Sequence, residues 1–198
     1  MSLTESVPER RALIVVDVQP TFCEGGELAT EGANEIAHRV AAYAAAHRDR
    51  YTTVVTTQDW HIDPGEHFSE TPDFVDSWPP HGIAGTPYAE LHPALSELDP
   101  DVRLKKGQYS HGYSGFDGAD ERGRSLATVL EDAGVTAVDV VGLVESHCVK
   151  HTALDARRAG LHVRVLTDLT IPVSEAQGEE AEKELTSAGV ELRDSSVL

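Results

Sequence analysis

The run Ala12-Leu13-Ile14-Val15-Val16 is apolar at every position and stops at Asp17. A strand with no polar face is one covered on both sides, which is the habit of a parallel sheet. Residues 52–56, 137–141 and 161–166 repeat the pattern, and 102–104 is a shorter run of the same kind. Helical periodicity occupies the intervals: about 32–48, with Ile36, Val40 and Tyr43 on one face, then about 123–133, 148–159 and 175–188. Ala133-Gly134-Val135, Ala159-Gly160-Leu161 and Ala188-Gly189-Val190 each place glycine where a helix ends before the next strand, and glycine tolerates the left-handed C-cap conformation. Alternation of strand and helix predicts a doubly wound, three-layer α/β/α fold with a mainly parallel sheet.

The interval 59–100 breaks this rhythm. Pro64, Pro72, Pro79, Pro80, Pro87, Pro93 and Pro100 prevent long regular elements there, and a loop of this length within a domain is usually functional. The whole chain, 198 residues with 40% hydrophobic content, is expected to be one domain, 1–198, with 59–100 as a long metal-binding loop.

Charge and targeting signals narrow the partners. The formal net charge is −18, and only Lys105, Lys106, Lys150 and Lys183 are lysines. Nothing here could neutralise a run of phosphates, so nucleic acid is excluded as a partner. Residues 1–11 are polar without an apolar signal core, and no apolar run approaches the roughly 18 residues of a membrane span. The expectation is a cytoplasmic protein with no membrane partner. Its two cysteines, Cys23 and Cys148, make no disulfide framework and start as buried packing residues.

Candidate chemistry gathers in the proline-rich loop. Asp59-Trp60-His61-Ile62-Asp63-Pro64-Gly65-Glu66-His67 and Ser77-Trp78-Pro79-Pro80-His81 place the Asp59 carboxylate and three imidazoles, those of His61, His67 and His81, within 23 residues. Neutral imidazole and carboxylate suit Zn, Fe(II) or Mn(II), and the lack of thiolate argues against a closed structural zinc site. Asp59 and His61, two apart after a strand, leave the same face. The alternative is a solvated, histidine-rich surface loop.

In an open parallel sheet, ligands bind outside the carboxyl ends of the strands. Asp17, Asp59 and Lys106 fall at three such ends, and Cys148 follows a fourth. A buried Asp17 needs a partner, and Lys106 is the candidate, although the two could be only a structural ion pair. Cys148 is expected to open a helix, with Ser146 or His147 as N-cap, where the helix end favours a thiolate. Unassisted proton transfer from cysteine to aspartate costs roughly 6 kcal/mol, so the helix end and Lys106 have to close much of that gap.

These residues carry a resemblance to the nicotinamidase/pyrazinamidase enzymes of the isochorismatase-like hydrolase superfamily, from about residue 12 to 192. It rests on Val16-Asp17-Val18-Gln19 with Phe22-Cys23, the block from Asp59 to His67, Ser77-Trp78-Pro79-Pro80-His81, Lys106-Gly107, Tyr113-Ser114-Gly115-Phe116 and His147-Cys148-Val149. The resemblance implies the isochorismatase-like fold and a catalytic triad of Asp17, Lys106 and Cys148. It also implies one divalent metal ion (Zn, Fe or Mn) held by Asp59, His61 and His81, with His67 as a further ligand. Phe22 and Trp78 match positions flanking the substrate ring, and Tyr113 and His147 match pocket positions. A cis peptide at Leu143-Val144 and an oxyanion hole from the backbone N–H groups of Val144 and Cys148 are implied as well.

The implied reaction is metal-dependent hydrolysis of nicotinamide to nicotinate and ammonia through a cysteine thioester, with pyrazinamide as a second substrate. The partner is then a small molecule, and a homo-oligomer is left open. The chain departs from the family pattern at Pro20-Thr21, at Gly82 and at Ser146, which bear on pocket shape and helix capping. The competing readings are another amide hydrolase of the superfamily acting on N-carbamoyl compounds, and a non-catalytic relative that binds metal or a small molecule. A redox-active thiol is disfavoured, because no second cysteine lies close in sequence to Cys148.

Overall fold

The apolar runs find cover on both faces in a six-stranded sheet of order β3-β2-β1-β4-β5-β6. Its strands are β1 Arg11–Val16, β2 Thr53–Asp59, β3 Val102–Lys106, β4 Ala137–Leu143, β5 His162–Ile171 and β6 Glu191–Arg193. Every neighbouring pair is parallel. The computed structural model describes residues 9–198, so most of the polar segment 1–11 lies outside it. Among the described residues no helix is long and apolar enough to cross a membrane.

The period-2 alternation of β1 divides the core. Ala12, Ile14 and Val16 face one layer with helices α2 (Leu126–Asp132), α3 (Lys150–Arg158) and α4 (Glu175–Ser187). Leu13 and Val15 face the other layer, where α1 (Ala33–Ala46) contributes Ile36, Ala37, Val40, Tyr43 and Ala44. This is the expected three-layer arrangement. Each predicted glycine stop closes its helix in the same way. Gly134, Gly160 and Gly189 have φ of 64°, 85° and 81°. The N–H groups of Val135, Leu161 and Val190 reach back to the carbonyls of Leu130, Ala156 and Leu185, the six-to-one bond of a Schellman motif.

Three local features differ from the sequence reading. Strand β5 runs on to Ile171, past 166, beyond a register irregularity between Val140 and Gly142 in its neighbour. Strand β6 has three residues, of which only Leu192 is apolar, too few to carry a periodic signal. The third correction concerns the nucleophile candidate. The helical path after β4 begins at Glu145 as a π-turn, Glu145–Val149, and α3 starts only at Lys150. Cys148 is therefore inside the turn rather than at a helix start, and neither Ser146 nor His147 is an N-cap. That position belongs to Val144, without a side-chain bond. The Ser146 hydroxyl instead meets His147 Nδ1 at 3.0 Å and the Val173 N–H at 3.3 Å.

Asp139, a charge in the middle of an apolar run, is buried and fully engaged. It takes Arg11 Nη1, Arg164 Nε and Arg164 Nη2 at 2.7 Å each and the Tyr51 hydroxyl at 2.8 Å. It lies toward the amino end of β4, away from the carboxyl edge where the candidate residues collect.

Candidate active site

Strand order reverses at β1, which sits between β2 and β4, so the crevice expected at such a switch point opens beyond Asp17. Asp17 has φ 45°, an uncommon conformation for a residue other than glycine. Its N–H donates to the Thr57 carbonyl at 3.1 Å, and the Thr57 hydroxyl donates to its Oδ1 at 2.6 Å. In the β2–β3 register Asp59 lies directly opposite Lys106. The Lys106 ammonium, fully buried, sits 2.5 Å from Asp59 Oδ1, 2.8 Å from Asp17 Oδ2, 2.7 Å from the Gly112 carbonyl and 3.7 Å from Cys148 Sγ. Hydrogen bonds to Asp59 and the Gly112 carbonyl, with the ion pair to Asp17, make the burial of this charge tolerable.

Lys106 thus serves two carboxylates rather than Asp17 alone. Asp59 turns its second oxygen toward His61 Nε2 at 3.7 Å, joining the triad candidates to the histidines. Gln19 holds it there: the Gln19 amide accepts from Asp59 N–H at 2.9 Å and donates to the Asp59 carbonyl at 3.0 Å.

The two carboxylates are pushed in opposite directions. Burial raises the Asp17 pKa, and Lys106 only partly opposes it. Burial also acts to raise Asp59, but Lys106 and the neighbouring His61 outweigh it and hold this carboxyl below the usual range. Burial works against the Lys106 charge too, and Asp17, Asp59 and Cys148 overcome it, so the pKa stands well above that of a free lysine. Cys148 is pushed up by burial, against the pull of Lys106. Its resting form is the thiol, which departs from the thiolate expected of a helix start. Two acids with diverging environments take different roles: Asp17 can exchange a proton, and Asp59 stays ionised.

The histidines form a second cluster. His61 Nδ1 lies 2.6 Å from the Gly107 carbonyl, His67 Nδ1 3.1 Å from the Asp76 carbonyl and His81 Nδ1 2.8 Å from the Pro79 carbonyl. A carbonyl only accepts, so each Nδ1 carries a proton and Nε2 is the nitrogen left to face an ion. One ring nitrogen from each of the three lies within 4.8 Å of the others, and His61 Nε2 is buried without a hydrogen-bond partner. Burial lowers the pKa of His67 and holds that of His81 at about 4, so both are neutral at pH 7. Three imidazoles whose Nδ1 protons are fixed on backbone carbonyls, one orphaned nitrogen and an adjacent ionised carboxylate fit a divalent metal ion. His67 enters this cluster on the same terms as His61 and His81.

Asp59, His67, His81 and Cys148 reach the wall of a cavity of about 400 Å³, with Asp17, His61 and Lys106 buried behind it. Phe22, Trp78, Tyr113, His147 and Val144 also line it. Tyr113 also acts as a brace: its hydroxyl accepts from Trp78 Nε1 at 2.8 Å and donates to the Val75 carbonyl at 3.1 Å. The Leu143-Val144 peptide is cis. The Val144 carbonyl takes the N–H groups of His147 and Val149, at 3.1 and 3.2 Å, and passes over that of Cys148.

Sequence reasoning missed several wall residues, among them Glu27, Leu28, Thr30, Phe74 and Val173. They come from turns with no periodic pattern. Phe74, at φ 58° and edge-on to Trp78 with ring centroids 5.8 Å apart, had no local signal beyond its proline-rich surroundings.

Comparison with known proteins places this geometry. The Isochorismatase domain model matches residues 11–196. The chain is 50% identical over 186 residues to the nicotinamidase/pyrazinamidase of Mycobacterium tuberculosis, covering 94% of this chain and 100% of that protein. Among solved structures, the pyrazinamidase of Pyrococcus horikoshii in complex with zinc superposes with a TM-score of 0.80 at 31% identity, over 93% of this chain and 99% of that one. An L. infantum protein in complex with nicotinate gives 0.81 at 33% identity, over 94% and 93%.

Proposed function

We propose that this chain, which belongs to the isochorismatase domain family, is an amidohydrolase that converts nicotinamide to nicotinate and ammonia. Its relatives' activities support the substrate, and one observation carries the chemistry: Asp17, Lys106 and Cys148 meet in a buried contact directly beside three convergent imidazoles.

In this reading Asp17 accepts the proton of the Cys148 thiol as sulfur attacks the carboxamide carbon, so the thiolate forms only as it is consumed. The carbonyl π electrons move to oxygen, and the backbone N–H groups of Val144 and Cys148 hold that oxyanion. Asp17 then gives its proton to the amide nitrogen, the C–N bond breaks, and ammonia leaves a Cys148 thioester. Water adds to the thioester with Asp17 again as base, and cleavage of the C–S bond returns the proton to Cys148 and releases nicotinate. Lys106 compensates the negative charge through each step, and Asp59 keeps Lys106 charged. Phe22 and Trp78 flank the ring, and Tyr113 and His147 close the pocket around it.

His61, His67 and His81, with Asp59, would hold a divalent ion, zinc, iron or manganese, which supplies a Lewis-acid site for the ring nitrogen when bound. Pyrazinamide carries a nitrogen at the same place and is proposed as a second substrate. The same reading takes 1–198 as one domain with 59–100 as its metal-binding loop, supported by the family match and the single sheet.

Ammonia release by the purified protein tests the proposal. Nicotinamide and pyrazinamide should be turned over and an N-carbamoyl amino acid should not. Hydrolysis of the N-carbamoyl compound alone would replace this reading with the other amidase.

A further inference from the structure

The departures at Thr21 and Gly82 meet in one place, and a residue with no assigned role joins them. We propose that Glu27 is a positioning residue for the imidazole cluster, acting through the backbone at Gly82; the inference rests on the reading of that cluster as a metal site.

The local chain explains how Glu27 arrives there. A Cβ at Gly26 would collide with the carbonyl oxygens of Pro20 and Thr21, so glycine lets the chain double back against its own preceding turn. The Leu28 N–H to Thr21 carbonyl bond, 2.8 Å, and the Thr30 N–H to Phe22 carbonyl bond, 3.0 Å, fix the return. Glu27 then lies alongside Thr21. Its Oε2 accepts from the Thr21 hydroxyl at 2.9 Å and from the Gly82 N–H at 2.9 Å. The Gly82 N–H is also 3.1 Å from Thr21 Oγ1, so the three groups form a closed triangle.

Gly82 is a junction between ligands. Its N–H belongs to the peptide that follows His81, and its carbonyl accepts the His61 N–H at 3.0 Å. Its φ is 53°, and an added Cβ would stand 3.2 Å from Asp59 Cβ and 3.6 Å from His61 Cδ2. One residue therefore touches His81 covalently, His61 by a hydrogen bond and Asp59 by packing, and Glu27 anchors it from the far side. Without that acceptor the Gly82 N–H loses its charge-assisted partner. The N–H then keeps only Thr21 Oγ1, the turn loosens, and the two imidazoles that Gly82 joins, His61 and His81, lose part of their common reference.

Zinc affinity, measured by competition with a chromogenic chelator, tests this independently of turnover. Glu27→Ala should bind zinc 10- to 100-fold more weakly than wild type, the range found when groups that orient metal ligands are removed. Glu27→Gln keeps an oxygen for the Gly82 N–H and should restore affinity to within about threefold of wild type. Thermal unfolding checks that each variant folds, and where Glu27→Ala does not, Thr21→Val, which removes the hydroxyl that bridges Glu27 and the Gly82 N–H, should weaken zinc severalfold. Unchanged affinity in the folded variants overturns the inference. So does a Glu27→Gln variant as weak as Glu27→Ala, since charge rather than the anchored backbone would then set the affinity. Wild-type protein that takes up no zinc overturns the metal-site reading itself.

Discussion

Replacing Lys106 by methionine keeps most of the side-chain volume while removing the charge between two buried carboxylates. Asp17 is 0% and Asp59 3% exposed, and their oxygens lie within 4.8 Å. At an effective dielectric of 20, two full negative charges at that separation repel by about 3.5 kcal/mol. Breaking a buried ion pair by deleting one partner costs about 3–5 kcal/mol. The two figures describe the same loss and do not add. The variant relieves it by binding a proton between the carboxylates, which raises a folded-state pKa above the unfolded value of about 3.9. The folded variant then holds more protons than its unfolded chain, so its stability falls as pH rises through the window between those pKa values. Urea unfolding of chelator-treated wild type and Lys106→Met at pH 8, 7, 6 and 5 measures this. The variant should be less stable by about 3–5 kcal/mol at pH 8, and the deficit should shrink toward pH 5 by up to about 1.4 kcal/mol per pH unit. It should also be inactive, because a protonated Asp17 cannot take the Cys148 proton. A deficit below about 1 kcal/mol at pH 8, or one equal at pH 8 and pH 5, would refute the charge argument.

Cys148→Ala should lower turnover by at least about 10⁴-fold with zinc content and unfolding midpoint near wild type; residual activity within about tenfold would mean another nucleophile. His81→Ala should erase the preference for nicotinamide over benzamide, which lacks the ring nitrogen. Comparison of kcat/KM for both amides checks it, and unchanged discrimination would remove the ring nitrogen from the recognition argument. Burial holds His81 at about pKa 4, so the unfolded chain takes up a proton near pH 6.5 that the folded, metal-free protein refuses. Stability should therefore be present above pH 6.5 and fall on the order of 3 kcal/mol as pH drops toward 4. His81→Gln should flatten that part of the urea-midpoint profile, and an unaltered profile would place the titration elsewhere.

The apolar runs, the helix stops at Gly134, Gly160 and Gly189 and the irregular 59–100 excursion were legible in sequence, because each is set by neighbours within a few positions. The residue types at the site were legible too, and resemblance assigned their roles. That Asp59 stands opposite Lys106 depends on the register of two strands 47 residues apart. The sharing of one ammonium between two carboxylates, and their divergent pKa values, follow from desolvation that no local pattern encodes. The histidine tautomers depend on the carbonyls of Gly107, Asp76 and Pro79, which reach the rings only once the loop has folded. The π-turn that carries Cys148 runs into a helix whose periodicity the sequence displays, but its contacts with α4 and β5 are made between segments distant in the chain, which no local pattern encodes. Glu27 gave no signal at all, since its role exists only where two loops, 55 residues apart in the chain, close on one backbone N–H. Local propensity selects the elements; long-range register and the exclusion of water decide which of their side chains meet, and in which protonation state.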